Sequence, residues 1–384
     1  MPAPATGPSA TSRQVPAEAN AARQGWPRIC LVGPLPPPSG GMANQCEQLL
    51  RLLHAEGAQA ELVRTNAPYQ PSWVGHVPLL RAVFRLLPYS LALWRAAARA
   101  QVMHIFANSG WSWHLFAAPA LWMAHRRGVA TIVNYRGGQA DEFFSADSGG
   151  VLRALGGASL RVTPSHFLQR VFKRHGLDAE IIPNIIDLSR FEPTGRVLSP
   201  QAPHLIVTRN LEAIYDIPTA LRAFALVRNR HGGATLTVAG SGPLLGELQA
   251  LVTELGLADC VRFAGRIDNA QIGRLYAQAD LVLNPSTADN MPISILESLA
   301  SGVPVVTTNA GGIPDLVEHE RTALMVPVGD AHQMADAALR LIADTALRER
   351  LRSAGLHAAQ GFAWTQVRPQ WQAVYQRLAA GAAR

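Results

Sequence analysis

Asp289-Asn290-Met291-Pro292-Ile293-Ser294-Ile295-Leu296-Glu297, running on through Ser298-Leu299-Ala300 into Ser301-Gly302-Val303-Pro304-Val305-Val306-Thr307-Thr308, is the stretch that decides the fold. It follows the apolar run Leu281–Asn284 and reads as strand, loop, helix, strand. Asp289 falls in the loop, and Glu297 lies a turn or more into the helix. The Ile-Ser-Ile-Leu run between them looks buried. A carboxylate in such a place is costly unless it accepts hydrogen bonds, for instance from ligand hydroxyls. A solvated helix face is the plainer reading of Glu297, but the apolar residues that follow count against it.

Working outward, the same alternation recurs. Arg28–Gly33, Val102–Ala107, Ala130–Asn134 and Leu160–Thr163 are buried-strand candidates separated by helical stretches, the first of these from about Met42 to Glu56. After the Pro- and Gly-containing segment Glu192–Pro203 the pattern restarts with Leu205–Thr208, Thr235–Ala239, Val261–Ala264, Leu281–Asn284 and Val303–Thr307. Helices are expected near Ala220–Arg230, Leu244–Leu255, Gln271–Gln278 and Ile293–Ala300. Strand–helix alternation predicts α/β architecture, here two doubly wound parallel sheets facing across a cleft. The first domain is expected over 27–195 and the second over 204–365, with 1–26, rich in Ala, Pro, Ser and Gln, as a disordered lead-in.

Composition narrows the function classes. The 384 residues include 33 Arg and a single Lys, Lys173, and the net charge is +7. Residues 1–203 carry a balance of +8 and residues 204–384 one of −1; no acid occurs between Glu61 and Asp141, a stretch with eight Arg and five of the eight Trp. Two halves of different charge imply different partners. Cys30, Cys46 and Cys260 form no C-x-x-C pair, which excludes a disulfide scaffold or a Cys-rich zinc module. No run reaches about 18 unbroken apolar residues and no signal peptide is evident, so a cytoplasmic protein is expected.

Ligands of doubly wound sheets sit beyond the carboxyl ends of the strands. Four loops there can do chemistry. Gly40-Gly41 opens the first helix and can present backbone N–H groups to an anion, or can simply be a tight turn. Arg209 follows the strand that opens the second domain, where it suits a phosphate or carboxylate, or a surface ion pair. Gly240-Ser241-Gly242-Pro243 is a glycine turn of low specificity, and the Asp289–Glu297 loop is the fourth. Neither a G-x-G-x-x-G pattern nor a Walker lysine is present, which weakens dinucleotide and P-loop readings.

Together these residues carry a resemblance. The Asp289-x₇-Glu297 stretch, the Ala310-Gly311-Gly312-Ile313-Pro314 turn, Gly40-Gly41, Pro183-Asn184-Ile185-Ile186-Asp187, Arg209 and Phe263-Ala264-Gly265 resemble the retaining family-four glycosyltransferases of the GT-B fold. The resemblance implies that Glu297 binds the ribose of a nucleotide-sugar donor. It implies that Asp289, with the loop amides of Asn290, Met291 and Pro292, holds the transferred sugar. Arg209 and the Gly41 N–H, beside Gly40, would bind the diphosphate, and Gly265, Arg266 and Ile267 would edge the base. Phe362-Ala363-Trp364 and the helix after it (366–384) would cross back to complete the first domain, which presents the acceptor.

Three departures from the family pattern stand out. Asp289 replaces a Glu. Leu211-Glu212-Ala213-Ile214-Tyr215-Asp216 stands where a Lys-Gly pair is usual, so Tyr215 or another Arg has to compensate. Asn134-Tyr135-Arg136-Gly137-Gly138 stands where a His is often found; Arg136 is the candidate replacement cation, with an ion pair to Asp141 or Glu142 as the structural alternative. Asp289, Arg209 and Arg136 are therefore the candidate catalytic residues.

No Asp-x-Asp occurs, so no metal and no cofactor are expected, the nucleotide sugar being a substrate. Asn108, Ser109, Trp111 and Arg136 are candidates to bind a glycan or lipid-linked acceptor, although Trp residues buried between helices are the ordinary alternative. Arg81, Arg85, Arg95 and Arg99 would share one side of a helix over Pro78–Arg99, with Pro88 breaking or kinking it. That side fits an anionic membrane surface or, equally, the solvated face of a core helix. No nucleic-acid module is present. An epimerase or hydrolase of the same fold, or a weakened nucleotide-sugar-binding protein, remain as alternatives.

Overall fold

The computed structural model describes residues 25–37, 40–69, 78–146, 149–193, 198–268 and 271–382. Six strands, β1 (Ile29–Gly33), β2 (Ala60–Arg64), β3 (Val102–Ala107), β4 (Ala130–Tyr135), β5 (Leu160–Thr163) and β6 (Glu180–Ile181), form one parallel sheet in the order β2-β1-β3-β4-β5-β6. Six more, β7 (His204–Val207), β8 (Thr235–Ala239), β9 (Val261–Gly265), β10 (Leu281–Asn284), β11 (Val305–Thr308) and β12 (Leu324–Val326), form a second, β12-β11-β10-β7-β8-β9. The central strands are buried along their whole length, which is why they read as continuous apolar runs. Strands β2, β6 and β12 escaped the sequence reading: all three are edge strands, β6 and β12 have only two and three residues, and β2 is half-buried at four of its five positions.

The strand order reverses between β1 and β3 in the first sheet and between β7 and β10 in the second. Such switch points open a crevice at the strand ends. The loops carrying Gly41, Asn108, Arg209 and Asp289 leave those four strands, so topology alone gathers them.

The helix Trp364–Ala382 lays Val367, Trp371, Val374 and Tyr375 into the apolar core of the first sheet, with Leu31 and Phe106. Trp26 stacks edge-on against Tyr375, and Gln376 donates to the Gly25 carbonyl at 2.7 Å. Gly25 and Trp26 thus belong to the folded domain and not to the lead-in, whose residues 1–24 lie outside the described residues.

Two further expectations are corrected in the helix Pro78–Ala97. Pro88 does not break it; the helix runs through. Nor do the four arginines together make its exposed side. Arg85 is partly buried over the Tyr69 ring at 4.2 Å, and Arg99 lies beyond the helix end, paired with Glu61 at 2.6 Å. The Arg81 side chain lies outside the described residues. Facing water are Val83, Phe84, Leu87, Leu91 and Trp94 together with Arg95, while Tyr89, Leu93, Ala96 and Ala97 face the core. No helix among the described residues is long and apolar enough to cross a membrane.

Candidate active site

A cleft of about 760 Å³ lies between the domains, lined on one side by Gly40, Gly41, Asn108, Ser109 and Arg136, and on the other by Arg209, Arg266, Ile267, Asp289 and Glu297. Two helices begin on it. Gly41–Ala55 starts at an extended Gly40, and Ile293–Ala300 starts at Pro292; a Cβ on Gly41 would sit 4.0 Å from Ile293. Helix N-termini carry partial positive charge and unpaired N–H groups, so both suit an anion.

Arg209 is nearly buried. It pairs with Asp289, donates to Ser294 Oγ at 3.1 Å, and lies over the Tyr215 ring at 4.0 Å. Tyr215 thus orients this cation and also lines the cleft. The glycine turn 240–243 backs the same loop: a Cβ on Gly240 would fall 1.9 Å from the Arg209 carbonyl oxygen, and on Gly242 2.3 Å from that of Leu211. Gly311 and Gly312 do the same for the Asp289 loop, where added Cβ atoms would meet the Asp289 and Asn290 carbonyl oxygens at 2.2 and 2.1 Å. Both turns are glycine because backbone packs on backbone there.

Arg136 follows β4. Its guanidinium donates to Asn184 Oδ1 and lies over the Phe106 ring at 5.3 Å, with burial pushing its pKa down to about 10. The expected alternative, an ion pair to Asp141 or Glu142, is not what forms. Asp141 is paired with Arg174 and His175 instead. Among the described residues no carboxylate pairs with Arg136, and its Nε is buried without a partner.

Glu297 lines the cleft half-buried. Withdrawal from water pushes its carboxyl up to about 7, against the opposing pull of the Tyr276 hydroxyl, Arg190 and Arg209. Tyr276, fully buried, lies 3.1 Å from Glu297 Oε2 and 3.0 Å from the Ser294 carbonyl, and shares a 2.8 Å hydrogen bond with Thr208. Tyr276 and Ser294 gave no sequence signal, because a Tyr or Ser on a helix face does not announce which carboxylate or cation it will meet.

The family-model comparison matches residues 39–190 to Glycosyltransferase Family 4 and residues 202–344 to the group 1 glycosyl transferases. The chain belongs to this glycosyltransferase family. It is 29% identical over 248 residues to a GDP-mannose-dependent α-(1-6)-phosphatidylinositol monomannoside mannosyltransferase of Mycobacterium tuberculosis, covering 60% of this chain and 63% of that one. It is 28% identical over 232 residues to a D-inositol 3-phosphate glycosyltransferase of Jonesia denitrificans, covering 56% and 54%. The match thus spans somewhat over half the length of these relatives. Among solved structures it is similar to Anabaena HepE in complex with UDP and glucose, with TM-score 0.71, 20% identity, and 91% and 99% of the two chains covered. Sucrose-phosphate synthase of Thermosynechococcus elongatus gives 0.71, 19%, 92% and 99%. The shared fold is GT-B.

Within this glycosyltransferase fold, several expected site residues are placed differently from the sequence reading. Pro292 has no N–H and cannot donate to a sugar; it caps the helix that follows. Asn290 lines the cleft, and its side chain crosses to the first domain, donating to the carbonyls of Arg136 and Gly137 at 3.0 and 2.8 Å. Trp111 is 79% exposed and is absent from the cleft wall. Gly265 lies behind that wall, its carbonyl accepting from the Gly240 N–H at 2.8 Å, whereas Arg266 and Ile267 reach the cleft. Asn184, quoted above only for its likeness, joins the domains: it accepts from Arg136 and donates to the Met291 carbonyl at 3.0 Å.

Proposed function

We propose that the protein transfers a sugar from a nucleotide-diphosphate sugar to a glycan or lipid-linked acceptor, with retention at the anomeric carbon and without a metal. One observation carries this reading: Arg209 from one domain and Arg136 from the other line a single cleft onto which two helix N-termini open. In the reaction the anomeric carbon–phosphate oxygen bond breaks, the acceptor oxygen bonds to that carbon, and its proton leaves toward the diphosphate. Positive charge grows on the sugar and negative charge on the diphosphate. Preorganised cations and N–H groups aimed at the latter lower the barrier most. Arg209, Arg136, the Gly41 N–H and the start of helix Ile293–Ala300 would share that task. Asp289 would face the transferred sugar, and Asn108 and Ser109 the acceptor.

The test uses the whole protein. UDP, GDP and ADP are compared for their shift of the melting temperature, because a ligand of the folded state raises stability. The matching nucleotide sugar is then offered with an acceptor panel, with and without EDTA, and the anomeric configuration of the product is read by NMR. An inverted product, or loss of turnover in EDTA, overturns the corresponding part of the reading.

Glu297 makes the donor affinity pH-dependent. A ribose hydroxyl donates more strongly to the carboxylate than to the protonated acid, so donor Kd should rise several-fold as the pH falls below about 7. Glu297→Gln should weaken the donor, flatten this dependence and leave kcat nearly unchanged. The folded pKa lies above the ordinary 4.5, so this group's contribution to the stability of the free protein is complete below that value and lost as pH rises through about 7. Free Glu297→Gln should accordingly melt above the wild type at pH 8. Calorimetric titration and melting curves at pH 5 to 8 check both signs.

A further inference from the structure

Ten large apolar side chains stand exposed among the described residues, and eight of them fall between Val83 and Trp122. They are not scattered. Val83, Leu87 and Leu91 recur at i+4 on the outer side of helix Pro78–Ala97, whose inner side is already packed in the core. Leu87 is 66% exposed. The helix packs against Ala118–Arg126, which exposes Trp122, and Tyr89 ties it to the turn Trp113–Ala117 through a 2.8 Å hydrogen bond to the Phe116 carbonyl. A helix whose outer side carries a run of large apolar residues that no described residue covers has a surface suited to an apolar medium.

The segment's own charges are of one sign, Glu61 in the adjacent strand being paired with Arg99. Arg127 lies over the Trp94 ring at 3.6 Å and Arg126 over Trp122 at 4.9 Å, and no acidic residue occurs from 62 to 140. Arginine stacked on a half-exposed indole places a cation beside an amphipathic ring, as suits the headgroup layer of a bilayer. A second protein copy would meet the same positive charge on both sides, which opposes self-association. The surface also reaches the cleft: Asn108 and Ser109, on its wall, lead directly into Trp111 and the exposed Leu115.

We infer that this face of the first domain docks on an anionic membrane, with Leu87, Leu91 and Trp122 entering the interface and Arg126 and Arg127 meeting the headgroups, and that the acceptor reaches Asn108 and Ser109 from that surface as a lipid-linked molecule. This rests on the transferase reading for the acceptor and on exposure and charge alone for the docking. The contact is the apolar side, with Arg95 at the end of its i+4 row, and not a side made of four arginines.

The experiment is co-sedimentation of the whole protein with phosphatidylcholine vesicles, with and without phosphatidylglycerol, at low and high salt. Binding is expected only with phosphatidylglycerol and should weaken with salt. Leu87→Asp with Leu91→Asp should cut the bound fraction about tenfold or more, and Arg126→Glu with Arg127→Glu should do so at low salt. Both pairs are exposed, and an unchanged nucleotide-induced melting shift shows that the cleft is intact. Wild-type protein that ignores the anionic vesicles overturns the docking. So does a dimer in solution that Leu87→Asp dissociates without any vesicle binding, which would make the face a self-interface. A protein that binds vesicles but shows no melting shift with any nucleotide keeps the docking and removes the donor reading.

Discussion

Arg136→Met should lower kcat by about 10²–10³, the loss typical of removing one preorganised group aimed at developing charge, while leaving the fold as stable as before. The two halves of this expectation separate function from structure. A buried guanidinium without a carboxylate is held at a desolvation cost, which its depressed pKa of about 10 records. Methionine of similar length removes that cost and keeps the contact with Phe106. The Asn184 oxygen loses its donor, worth about 1 kcal/mol, so the melting temperature should change little in either direction. Nucleotide-release assays and melting curves on the same preparation decide the matter. If Arg136 were a structural cation, the variant would lose stability and keep turnover.

Arg209→Ala should combine both losses. It strips Asp289 of its partner in a nearly buried pair, where removing one member costs about 3–5 kcal/mol, and it removes a cation from the diphosphate, with a further drop in kcat of about 10²–10³. The double variant Arg209→Met with Asp289→Asn leaves no unpaired buried charge. It should therefore recover most of the melting temperature and none of the turnover. Recovery of turnover in the double variant would reduce Arg209 to a structural partner of Asp289.

The same pair explains why the site was only partly legible in the sequence. That Asp289 lies in a loop and Glu297 on a buried helix follows from local pattern. That Asp289 meets Arg209, eighty residues earlier, does not. Asn290 shows the limit more sharply: the loop position was read correctly, but its side chain serves the carbonyls of residues 136 and 137 in the other domain. Arg136 was read as a choice between a cleft cation and an ion pair to Asp141 or Glu142. The choice fell to His175 and Arg174, which occupy Asp141 from a different helix.

The sequence by itself determined the alternation of buried strands and helices, the division near residue 200, the glycine turns and the placement of Glu297 on a largely buried helix. These are local consequences of period and of backbone sterics, since a buried strand must be apolar along its length and a glycine must stand where backbone meets backbone. Only the tertiary structure decided that Arg136 pairs with Asn184 and not with Asp141 or Glu142, that Trp111 stands outside the cleft, and that helix Pro78–Ala97 turns mainly leucines to the water, with Arg95 beside them. Those depend on which distant segments arrive as neighbours, and an apolar residue looks the same in the sequence whether the fold covers it or leaves it exposed.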